Sequence, residues 1–177
     1  MLHRVARSFG CVAAFLLLVP AAAPAAFVDQ WHEFQPAHAA VFPINGPHDL
    51  GRNEANRFGG GRGHLGQDMF ADCGTPVVAA RGGTIRHVGY EGAAGNYIVI
   101  HTHGGADEDN VYMHLLNTPR FSEGEAIETG QRIGSVGRTG DADGCHLHFE
   151  LWTAPGWYRG GHAFDPLPRL REWDGWS

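Results

Sequence analysis

The sequence predicts an all-β fold, a two-sheet antiparallel β-sandwich or barrel, on three observations. From Thr75 onward, short apolar or alternating runs are broken at close intervals by Gly-containing turns. Glycine supplies 26 of the 177 residues, about twice the usual ~7% share, which suits a turn-rich chain. No amphipathic helix of useful length is evident, apart from a short one near residues 166–173. This length fits one domain and is enough to bury a core.

The first element is not part of the fold. Arg4 and Arg7 precede an apolar run at 10–19, which ends at Pro20 and an Ala-rich stretch. This is the pattern of a secretory signal peptide, and Ala23-Pro24-Ala25 offers a small-residue cleavage site. A signal peptide is therefore expected over 1–25. The apolar run is well short of the ~20 residues of a membrane span, so none is expected once the signal is removed. Arg4 and Arg7 are the only charged residues of 1–25, so their loss takes the formal charge from -6 to -8. The expected product is secreted, acidic and monomeric, and its charge argues against nucleic acid as a partner.

Residues 26–58, with Pro36, Pro43 and Pro47, lack periodicity and read as an N-terminal linker or strap. The main folded domain is expected over 59–177, starting with Gly59, Gly60, Gly61 and Gly63 as a flexible approach to His64. Strands are expected at 76–80 and 84–90, joined by Arg81-Gly82-Gly83. Residues 96–102 alternate, with Ile98 and Ile100 on one face and Tyr97 and Val99 on the other. A strand at 111–115 follows a loop of Gly and acidic residues, and turns at 123–125, 129–131 and 139–141 separate further short strands. The clearest strand is 144–152.

Beyond the signal only Cys73 and Cys145 remain, an even number in an oxidising compartment. A disulfide between them is the first expectation. Two buried free thiols are the alternative, and zinc ligation through them is weaker because a His/Asp set already fills a metal site.

That set lies in three short segments. His64-Leu65-Gly66-Gln67-Asp68 brings an imidazole and a carboxylate together, either on a helix or through a turn leading into a strand. His114 lies in the apolar strand Val111-Tyr112-Met113-His114-Leu115, where a core histidine is the simpler reading of that residue alone. In Cys145-His146-Leu147-His148-Phe149-Glu150-Leu151, alternation puts His146 and His148 on one face and Leu147, Phe149 and Leu151 toward the core. Catalytic zinc takes three His or carboxylate ligands and keeps one position open, whereas calcium and magnesium prefer oxygen-rich shells. Two His and one acid, with two spare His nearby, suit zinc. His101-Thr102-His103 has the same spacing as His146 and His148 but reads as surface imidazoles at a strand end. His32, His38, His48, His87 and His162 receive no role. Scattered histidines would also serve diffuse metal buffering.

H-x-x-x-D, then Y-x-H-L, then G-x-H-L-H-F-E-L strongly resembles the lysostaphin-like (LytM-type) zinc metallopeptidases, which are peptidoglycan endopeptidases. The resemblance extends to Gly74-Thr75-Pro76-Val77-Val78-Ala79-Ala80, to Gly130-Gln131-Arg132-Ile133-Gly134-Ser135-Val136-Gly137 and to Asp165-Pro166, covering about 42–170. It implies a fold related to the lipoyl-like duplicated hybrid motif, with the metal in a groove. It makes His64, Asp68 and His148 the ligands of one zinc ion per chain, and His114 and His146 the catalytic pair beside it. The implied activity is a secreted zinc metalloendopeptidase acting on bacterial peptidoglycan. A non-catalytic cell-wall-binding or amidase-regulating module of the same fold is the alternative, against which the complete motif set argues.

Overall fold

A computed structural model of the chain describes residues 39–61, 63–102 and 107–175. The expected signal peptide and residues 26–38 of the strap lie outside the described residues.

The alternating segments become strands. In order they are β1 (Gln67–Phe70), β2 (Pro76–Val78), β3 (Gly83–Glu91), β4 (Gly95–Thr102), β5 (Glu108–Leu115), β6 (Ala126–Ile127), β7 (Arg132–Ser135), β8 (His146–Thr153) and β9 (Ala163–Phe164). Among the described residues the one α-helix, α1 (Leu167–Asp174), follows Pro166 and buries Leu170 and Trp173, and a single 3-10 turn lies at Glu54–Asn56. The large sheet runs β1-β8-β5-β4-β3-β6, with β9 pairing beside β8, and every pairing is antiparallel. β2 and β7 form a second, two-stranded sheet.

One apolar cluster joins the two sheets. Val77 and Ile133 of the small sheet meet Ile98, Ile100, Tyr112, Leu147, Phe149 and Leu151 of the large one. The sandwich form of the expected fold is therefore present, but the barrel is not. β1 and β6 stand at opposite edges of the large sheet and do not pair, so the sheet stays open.

β4 is apolar on both sides for a reason the alternation anticipates. Ile98 and Ile100 enter the inter-sheet core, while Tyr97 and Val99 join Val111 and Trp152 in a second cluster on the other face. That second face carries the site.

The first part of residues 39–58 packs on the domain, while residues 52–55 are exposed. Ala40, Phe42 and Ile44 lie in the inter-sheet core. Ile44 bridges Val77, and Asp49 bridges Phe70. Cys73 and Cys145 are disulfide-bonded, tying the turn after β1 to the residue that precedes β8. Among the described residues, no helix is long and apolar enough to cross a membrane.

Candidate metal centre

Strand alternation builds the floor of the site. On β8, Leu147, Phe149 and Leu151 enter the core, so His146, His148, Glu150 and Trp152 line the opposite face. β1 pairs with β8 so that Asp68 lies opposite His148 and Phe70 opposite His146. Met69, between them, is fully buried. Asp68 therefore reaches the same face as the two histidines.

His64 arrives from the loop before β1. Gly66 lets that loop come close: a Cβ there would lie 2.4 Å from the Phe149 carbonyl oxygen and 2.7 Å from His148 Nε2. The His64 side chain thus descends onto the carboxylate, with Nε2 3.2 Å from Asp68 Oδ1. His148 Nδ1 stands 2.9 Å from the same oxygen. One donor atom from each of His64, Asp68 and His148 lies within 4.8 Å of the others. Two imidazoles and a carboxylate gathered this closely could hold a metal ion.

His114 reaches the site by an irregular route. Tyr112 enters the inter-sheet core, and period-2 alternation would send His114 after it. Instead His114 adopts a left-handed backbone conformation, with φ of 61°. Its ring then lies 4.6 Å from that of His146 and 5.9 Å from that of His148. Non-glycine residues held in this region are uncommon, and they cluster at functional sites.

The orientation of each ring is set by its second nitrogen. His64 Nδ1 is 3.0 Å from the Arg57 carbonyl oxygen, His114 Nδ1 is 2.8 Å from that of Thr139, and His146 Nδ1 is 2.9 Å from that of Gly144. A carbonyl only accepts, so in each ring Nδ1 carries the hydrogen and Nε2 faces the site. His148 is reversed: its Nε2 is held 3.0 Å from Glu150 Oε1, and Nδ1 faces the site.

The charges follow this geometry. Burial opposes the charge on Asp68, but hydrogen bonds from His148 and His64 outweigh it and hold the carboxyl well below the usual range. Burial also disfavours a charged His148, yet Asp68 and Glu150 on either side push it up to about 9. His114 is pulled down to about 4 by burial and by the neighbouring His146.

All five histidine and aspartate positions singled out in the sequence therefore meet on one sheet face. His101 does not join them, because its ring is held by Asp109 and Asp107, and His103 lies outside the described residues. His87 faces Glu123 and His48 faces Asp174, both away from the site. Sequence reasoning missed Gly66, Thr139, Glu150 and Trp152. For Glu150 and Trp152 the signal was present, since they continue the alternation of His146 and His148. For Thr139 there was none: its carbonyl contribution depends on a turn fixed by its hydroxyl, which donates to the Leu115 carbonyl at 2.8 Å and accepts from the Asn96 amide at 2.9 Å.

Comparison with known proteins places these features in a family. The sequence pattern of peptidase family M23 matches residues 62–166. The L-Ala–D-Glu endopeptidase of Bacillus subtilis is 33% identical over 150 residues, covering 77% of this chain and 44% of that protein. The catalytic domain of the antimicrobial peptidase lysostaphin from Staphylococcus simulans superposes with a TM-score of 0.55 at 34% identity, over 72% of this chain and 89% of that one. A zinc-containing peptidase from Vibrio cholerae superposes with a TM-score of 0.56 at 27% identity, over 72% of this chain and 39% of that one. The chain spans under half the length of the curated relatives it matches.

Proposed function

Because the chain belongs to peptidase family M23, we propose that it is a zinc-dependent endopeptidase that hydrolyses peptide bonds in the stem peptides or cross-bridges of peptidoglycan. The observation that carries this reading is the convergence of His64 Nε2, Asp68 Oδ1 and His148 Nδ1 beside two further imidazoles. Two imidazole nitrogens and one carboxylate suit zinc better than a hard cation that prefers an all-oxygen shell. His64, Asp68 and His148 would hold the ion. Zinc bound there supplies a Lewis acid that lowers the pKa of water to about 7 and polarises the scissile carbonyl.

The protein's own part is proton handling and positioning. His114 and His146 commit Nδ1–H to the Thr139 and Gly144 carbonyls, so the position of each ring that can exchange a proton is Nε2. A neutral ring accepts the proton of the attacking water there, and a protonated ring delivers one to the leaving amine. No glutamate is needed for this role. The opposite direction of His148, whose Nε2 is tied to Glu150, suits a ligand rather than a proton carrier.

Export over the membrane, with cleavage after about residue 25, belongs to the same proposal. It is supported by the charged and apolar pattern of 1–25 and by the Cys73–Cys145 disulfide, which persists in an oxidising compartment.

Zinc content and peptidoglycan cleavage, measured together on the purified protein and its His148→Ala variant, test the reading. One zinc per chain with new amino groups released from muropeptides, both lost in the variant, is the expected result. Stoichiometric zinc with no cleavage of any wall type would replace the hydrolase by a regulatory module. No stoichiometric metal would remove the ligand assignment.

A further inference from the structure

Resting on the zinc-site reading above, we infer that Glu150 and Trp152 form a positioning relay that fixes the hydrogen of His148 on Nε2, leaving the Nδ1 lone pair to the metal. The argument runs through the direction of each hydrogen bond. Trp152 Nε1–H can only donate, and it lies 2.6 Å from Glu150 Oε2. A carboxylate accepts on both oxygens, so the other one, 3.0 Å from His148 Nε2, calls for a hydrogen on that nitrogen. His148 Nδ1–H donates to Asp68 Oδ1 at 2.9 Å, and it is the nitrogen that would give up its hydrogen to a metal ion, because Nε2–H is held by Glu150. The three side chains stand at alternate positions of β8 and are buried: His148 is 7% exposed, Glu150 4% and Trp152 8%. Water therefore has little access to substitute for a lost partner. The other three imidazoles of the site take their orientation from backbone carbonyls, which no substitution removes. His148 alone depends on a side chain, and that side chain depends on a second.

The relay makes a specific prediction about an isosteric change. Glu150→Gln keeps shape but offers one acceptor and one donor to two facing donors. With its oxygen toward His148, its NH2 meets the Trp152 N–H. Flipped, its NH2 points at His148 Nε2 and favours the tautomer with hydrogen on Nδ1, which cannot bind metal. Trp152→Phe removes the opposing donor, so in the double variant the amide oxygen is free to accept from His148.

The test is zinc affinity by chelator competition on the wild type, Glu150→Gln, Trp152→Phe and the double variant, with folding followed by circular dichroism. Outer-shell carboxylate partners of ligating histidines are worth roughly 10–100-fold in metal affinity, and that loss is expected for Glu150→Gln. The double variant should recover most of it. Nitrogen-15 NMR of the zinc-bound wild type should show His148 protonated at Nε2. Should Glu150→Gln not fold, the comparison of the double variant with Trp152→Phe reads the same quantity, and near-equal affinities are expected. Glu150→Gln binding zinc within about threefold of the wild type, against the expected outer-shell loss, would overturn the relay. So would losses that add in the double variant. A wild type that binds no zinc would instead overturn the zinc-site reading, so the two failures are distinguishable.

Discussion

Replacing Cys73 and Cys145 together by Ser should destabilise the fold strongly while leaving the candidate metal site in place. The bond joins residues separated by 72 positions. Opening a loop of that size returns chain entropy to the unfolded state worth about 4.4 kcal/mol at 25 °C. The native state has little to lose beyond this, because β8 is held independently of the bond. β1 pairs with it from Phe149 to His146 on one side and β5 from Thr153 to His148 on the other, and Gly137 bridges His146. The stability loss is thus expected at about 3–4.5 kcal/mol, or roughly 10–17 °C in melting temperature for a domain of this size. The assay is urea unfolding in the presence of EDTA, so that bound metal does not add its own stabilisation. The slope against denaturant should rise, since the uncrosslinked chain exposes more surface. Zinc affinity of the variant should stay within about threefold of the wild type, far from the roughly 10–100-fold cost of losing a ligand's support. A stability loss below about 1 kcal/mol would refute the entropic argument. A large fall in zinc affinity at full folding would show that the bond, not the sheet, sets the register of His146 and His148.

Four further outcomes follow from the structure. Gly66→Ala should cost about 1–3 kcal/mol and weaken zinc binding, because the new methyl meets the Phe149 carbonyl and the His148 ring; unchanged melting and affinity would contradict that close approach. Tyr112→Phe should cost about 1–3 kcal/mol by leaving the buried Ala80 amide, 2.8 Å from the phenol oxygen, without its acceptor. The same substitution should change the alkaline response: burial raises the folded-state pKa of Tyr112, so the unfolded chain ionises first. The tyrosine's contribution is whole below about pH 10 and falls by about 1.4 kcal/mol per pH unit above it, a slope that Tyr112→Phe should remove in difference measurements. Finally, His114→Ala and His146→Ala should each keep one zinc per chain yet lose about 10²–10⁴ in peptidoglycan cleavage, measured as amino groups released. Loss of zinc from either would move that residue into the ligand set.

How much of this was legible in the sequence varies from residue to residue, and the reason is local. His146 and His148 could be placed on one face because a strand's alternation is a short-range property, and Leu147, Phe149 and Leu151 marked the core side without ambiguity. The same rule misdirects at His114. Counting from Tyr112 sends its ring into the core, and only the left-handed turn at its own backbone, closed by the Ala94 and Thr139 carbonyls, brings it out. The antiparallel sheets were expected; the open form was not decided in advance, since closure depends on which edge strands meet. Residues 39–58 looked unstructured because Ala40, Phe42 and Ile44 pack individually into a core made elsewhere in the chain. Periodicity detects elements that bury a face of their own.

By itself, the sequence determined the residue types able to bind a borderline metal, the strand faces that carry them, and the resemblance that joined three distant segments into one site. Only the tertiary structure decided which nitrogen of each ring faces that site. Those choices rest on partners separated in the chain or in direction: Arg57 for His64, Thr139 for His114, Glu150 and Trp152 for His148. A ring's tautomer is set by the hydrogen bond at its far side. That bond exists only when folding has brought the partner to hydrogen-bonding distance.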